Sequence, residues 1–85
     1  MDIQLIRSFV AVAQHGHLGR AAEALHISKP TISRHLKDLE TACKVSFFHR
    51  LHNGMRLTNA GEQLLPKSQA AITAMDGGSN VPGAP

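Results

Sequence analysis

Apolar residues at Leu5, Ile6, Phe9, Val10 and Ala13 recur at three- and four-residue spacing, the stripe of an amphipathic helix, and predict a first helix over about 3–15. Asp2 precedes it as an N-cap, and Gly16 supplies the left-handed residue that closes it. A shorter pattern runs from Leu18 to about Leu25, with Ala21, Ala22 and Leu25 on one face, and stops at His26. A third helix begins at the N-cap Ser28, with Pro30 in the first turn, where its missing N–H is not needed; Ile32, Leu36, Leu39 and Cys43 mark its buried stripe. The period then changes. In VSFFHRLHNGMRL, residues 45–57, Phe47, Phe48, Met55 and Leu57 flank the turn-forming His52, Asn53 and Gly54, which predicts two short strands in a hairpin. Thr58 caps a fourth helix reaching about Met75, about 27 Å long at ~1.5 Å per residue, and Pro66 conflicts with its interior because it removes a hydrogen bond. The stretch DGGSNVPGAP, residues 76–85, has no apolar period and reads as a disordered tail.

Two helices joined through His26, Ile27 and Ser28 must cross steeply. Ala22 keeps the first thin enough for close approach, and Leu25, Ile27, Ile32 and Leu36 fill the wedge, with Leu39 and Phe48 completing the core. That is a helix-turn-helix over about 18–37. An ordinary helical hairpin accounts for these residues too, but a β-hairpin directly after the third helix favours a winged helix-turn-helix. The predicted class is therefore mainly α: a three-helix core with a short β-hairpin wing over 1–58, then a linker helix over 58–75. The polar face of the third helix, Lys29, Ser33, Arg34 and Lys37, is the part that can enter a major groove and meet base edges and phosphates.

Charge strengthens that picture without deciding it. Residues 29–56 hold Lys29, Arg34, Lys37, Lys44, Arg50 and Arg56 against Asp38 and Glu40, a local excess of +4 in a chain of net +3. Such a segment suits a polyanion, since phosphate neutralisation releases counterions; a merely solvated basic face is the plainer alternative. At 85 residues a large enzyme pocket is not expected, and no nucleophile stands with a base and an oxyanion site, Ser28 and Ser33 having plainer roles as cap and groove-facing donor. Six histidines invite a metal reading, but His15 with His17 and His49 with His52 lack further ligands at zinc-like spacing, so neither metal nor cofactor is expected. His26 falls at the tight turn, and His35 faces either DNA or solvent. The single Cys43 cannot form an internal disulfide, no export signal is legible, and no stretch approaches the roughly 18 apolar residues of a membrane span. The expectation is a cytoplasmic protein without membrane contact.

The stretches LIRSFVAVAQHG, RAAEALHISKPTISRHLKDLE, FFHR and RLTNAGEQLLP, in this order and spacing, resemble the N-terminal DNA-binding domain of the LysR-type bacterial transcriptional regulators over residues 1 to about 75. The resemblance implies sequence-specific binding of double-stranded DNA, with the third helix in the major groove, the wing on the flanking groove or backbone, and a homodimer joined through the linker helix. Carried over by position, Lys29, Pro30, Ser33 and Arg34 contact bases, while Thr31 and Lys37, with Arg50, His52, Asn53 and Arg56 of the wing, contact the backbone. Arg50 packs back on the domain in the alternative. Leu64, Leu65, Ile72 and Met75 form the dimer stripe, weakened by the early end of the chain. Three positions depart from the family pattern: His17 stands where Ser is usual, Lys44 where Gly is usual, and Lys29 where Gln is usual, which shifts base preference towards guanine acceptors or a phosphate. The family's effector-binding domain is not among these residues. The competing reading is a winged-helix module for protein contacts.

Overall fold

The computed structural model describes residues 2–76; residues 77–85, and with them all but Asp76 of the predicted tail, lie outside the described residues. The element order is α1 (Ile3–His15), α2 (Leu18–Leu25), α3 (Lys29–Cys43), β1 (Phe48–Leu51), β2 (Gly54–Leu57) and α4 (Asn59–Met75).

Each helix begins on a side-chain cap that satisfies one orphan backbone donor. Asp2 Oδ1 accepts the Gln4 N–H at 2.9 Å, Ser28 Oγ the Thr31 N–H at 3.2 Å, and Thr58 Oγ1 the Gly61 N–H at 3.1 Å. On α2 the cap is an imidazole: His17 Nδ1 accepts the Arg20 N–H at 3.2 Å. The first three helices end in left-handed residues, Gly16 at φ 66°, His26 at φ 58° and Lys44 at φ 57°. Only Gly adopts this conformation without steric cost, so the His and Lys ends each carry strain of order 1 kcal/mol.

Phe9 and Val12 of α1, Ala21 and Ala22 of α2, Ile32, Leu36 and Leu39 of α3, and Phe47 and Phe48 beside and on β1 form one buried core. The Phe9 ring meets Phe47 edge-on at 5.5 Å between centroids and Phe48 at 5.4 Å. Leu25 and Cys43, expected in the core stripe, are half-buried at its margin.

Strands β1 and β2 pair antiparallel with Phe48 opposite Leu57, His49 opposite Arg56, Arg50 opposite Met55 and Leu51 opposite Gly54. The turn is thus His52-Asn53 alone. Gly54 is the first residue of β2, and what it supplies is space: a Cβ there would lie 2.5 Å from the Gly16 carbonyl oxygen. Next to it the Met55 N–H donates to that same oxygen at 3.0 Å, which ties the wing to the end of α1. The other end of the hairpin is held where the Thr58 N–H donates to Phe47 O and Thr58 Oγ1 donates to Ser46 O. A Cβ on Gly61 would collide with Phe47 O, so α4 starts where its backbone lies flush on the root of the wing.

Helix α4 continues through Pro66 to Met75 and packs along α1. Leu64, Leu65 and Ile72 of the expected dimer stripe lie against their own chain's core and are half-buried, whereas Met75 is 64% exposed. Asp76 is not loose either: its carboxylate forms an ion pair with Arg7 of α1 at 2.5 Å.

Candidate nucleic-acid interface

The exposed side of α3 follows from its buried side. Ile32, Leu36 and Leu39 face the core with 2% exposure or less, so the i, i+4 rows Lys29-Ser33-Lys37 and Pro30-Arg34 turn outward. Lys29, Pro30, Arg34 and Lys37 are exposed and Ser33 is half-buried at the edge. The Ser28 cap and Pro30 in the first turn fix where this face begins.

The flanks of α3 differ. On one side Thr31 and His35 share a shallow groove with Gln4, Arg7 and Ser8 of α1. His35 Nδ1 lies 2.7 Å from the buried Ser8 Oγ, so the ring that the sequence left between DNA and solvent instead holds α3 to α1. Thr31 is exposed, and its hydroxyl bonds Ser28 Oγ at 2.8 Å.

On the other side the wing comes up beside the start of α3 and leaves a cleft. Its polar lining is Lys29 with Arg50, His52 and Asn53 of the wing, and His17 from the cap of α2; among the described residues no carboxylate lines it. Four of the expected contact residues are therefore brought together. Arg56 is not among them: it pairs with His49 across the ladder, one step from the Arg50–Met55 pair, so it lies on the opposite face of the hairpin. Arg50 is exposed and lines the cleft, and does not pack into the core. Lys37 and Arg34 lie further along α3, outside the cleft.

The sequence did not point to His17 as part of this lining; its only legible role was as a substitute helix cap. Nor did it show Glu40, whose carboxylate accepts the Phe47 N–H at 2.7 Å and so shapes the approach from α3 to the wing. Among the described residues no three His, Cys, Asp or Glu side chains are grouped to hold a metal ion, and no helix is long and apolar enough to cross a membrane.

Residues 3–62 match the family of bacterial regulatory helix-turn-helix proteins of the lysR type. The chain is 42% identical over 72 residues to the HTH-type transcriptional regulator HdfR of Salmonella newport and of Salmonella typhimurium; the match takes in 85% of this chain and 26% of each relative. The chain thus spans about a quarter of the length of these relatives. The crystal structure of the CbnR DNA-binding domain in complex with DNA superposes with a TM-score of 0.87 at 31% identity, covering 94% of this chain and 92% of that one. Oxidised OxyR of Corynebacterium glutamicum gives a TM-score of 0.88 at 36% identity, over 89% of this chain and 25% of that chain. The reading as a protein-contact module is not favoured, and the family is not one of enzymes. With a winged fold, an outward basic recognition face and a match over residues 3–62, the chain belongs to the LysR family of bacterial regulatory helix-turn-helix proteins.

Proposed function

We propose that this chain binds double-stranded DNA sequence-specifically as the reading head of a bacterial transcriptional regulator, acting in the cytoplasm. The observation that carries this reading is the convergence of the exposed row of α3 with the wing, cationic on both sides of a cleft with no carboxylate among the described residues. The CbnR domain, which was crystallised with DNA, supports it as a neighbour in fold. In this reading α3 lies in the major groove, where Lys29, Pro30, Ser33 and Arg34 meet base edges. Thr31 holds a phosphate on the α1 side of the helix and Lys37 one further along it. The wing turn, His52-Asn53, with Arg50 meets the flanking groove or backbone, and Arg56 serves the outer face of the hairpin.

A homodimer through α4 belongs to the same proposal. Leu64, Leu65 and Ile72 keep part of their apolar surface outside the core, and exposed Met75 extends the stripe. Two copies joined this way present two recognition helices, so the bound sequence has two half-sites. Selection from a random pool of duplex oligonucleotides tests the function. The expected outcome is enrichment of a short motif occurring twice; a pool that stays random after repeated selection would contradict specific reading.

A further inference from the structure

Major and minor grooves are separated by one sugar–phosphate strand. A domain that places α3 in one groove and its wing in or beside the next must therefore seat that strand in the cleft between them, and this inference rests on the DNA-binding reading above. What lines the cleft can be read directly: the cations Lys29 and Arg50, the imidazole of His52, the amide of Asn53 and the imidazole of His17, with no carboxylate among the described residues. His17 differs from the rest because its tautomer is set by the fold. Its Nδ1 accepts the Arg20 N–H at 3.2 Å, so in the neutral ring the proton sits on Nε2, which the cap leaves unused. Gly19 leaves room for the ring, since a Cβ there would stand 3.1 Å from His17 Cε1 and 3.3 Å from Nδ1. Cap and cleft thus share one side chain.

We propose that His17 is a DNA-backbone contact, donating from Nε2–H to a phosphodiester seated between the start of α3 and the wing. A neutral donor adds a hydrogen bond without releasing a counterion, which gives it a signature distinct from that of a cationic backbone contact such as Arg50.

The test is His17→Ser, since Ser keeps a strong N-cap acceptor and removes the imidazole Nε2–H donor. Fluorescence anisotropy with a duplex of selected sequence and one of random sequence, over a range of salt, is expected to show binding weakened roughly two- to tenfold on both, with an unchanged salt slope. His17→Ser binding like the unaltered protein, or a flattened slope, would overturn the proposal. If the unaltered protein bound neither duplex, the DNA-binding reading itself would fall, a separate outcome. The unaltered protein gives a second readout that does not depend on the variant's stability: the His17 Nε2 resonance is expected to shift when duplex is added, and a resonance that stays fixed at saturation would overturn the contact.

Discussion

Arg34 lies one turn beyond Pro30 on the solvent-facing row of α3, where a planar guanidinium can bond two acceptors of one guanine edge. Arg34→Ala is expected to cost roughly 1–3 kcal/mol on a selected duplex and to relax preference at one base position. Equal losses on selected and random duplexes would assign Arg34 to a phosphate instead. At Gly54 the constraint is steric: a Cβ meets the Gly16 carbonyl, which is fixed by its bond to the Met55 N–H. Gly54→Ala is therefore expected to destabilise the domain by roughly 1–3 kcal/mol, as overpacking does, measured by urea unfolding. An unchanged midpoint would mean that the wing can lift from α1 at no cost. Caps were legible because their signals lie within a few positions in the sequence. Gly54 was legible only as a turn glycine, since the atom it must avoid belongs to Gly16. His17 was legible as a departure at an N-cap position but not as a cleft residue, because what it faces comes from the wing, more than thirty residues later.

Helix periodicity located all four helices, since each buries a stripe and begins on a side-chain cap. It showed which face of α3 is buried but not what ties that helix to α1. The hydrogen bond between His35 and Ser8 does so, 27 residues apart in sequence. The end of α4 is positioned in the same non-local way by the ion pair of Asp76 with Arg7. Its hydrogen bond to Arg7 holds the Asp76 carboxyl below its ordinary value of 3.8, and the bond to Asp76 raises Arg7. The unfolded chain therefore takes up the proton first as pH falls. The pair's contribution is complete above about 3.8 and is lost as pH drops through the lower folded value. Both side chains are well exposed, so the effect is local. In an acid titration the amide signals of Thr73 to Asp76 are expected to move below pH about 4 as α4 loosens from α1; in Arg7→Gln the Asp76 carboxyl still titrates, moved up towards its ordinary value, while the Thr73 and Ala74 signals are expected to stay fixed. Movement of those two signals in Arg7→Gln would show that another group anchors the helix end.

On the scale of the whole molecule, three helices and a hairpin enclose one small core, and the proposed function is assigned to the side of the molecule where α3 and the wing rise together. The charge excess over residues 29–56 was legible as a segment; its division into a helix row, a cleft and an outer wing face was not, because that division depends on the register that sets Arg50 and Arg56 on opposite faces. The dimer stripe was legible as apolar spacing, but spacing does not tell a surface turned to a mate from one turned to α1, and Leu64, Leu65 and Ile72 are partly committed to their own core. The claim that this side of the molecule grips DNA is tested most directly by the salt dependence of binding. With Lys37, Arg50 and Arg56 each neutralising a phosphate, the logarithm of the binding constant per domain is expected to fall linearly with the logarithm of salt concentration with a slope of roughly −3, with the selected duplex bound more tightly than random sequence throughout. A slope near zero, with both duplexes bound alike, would contradict the account.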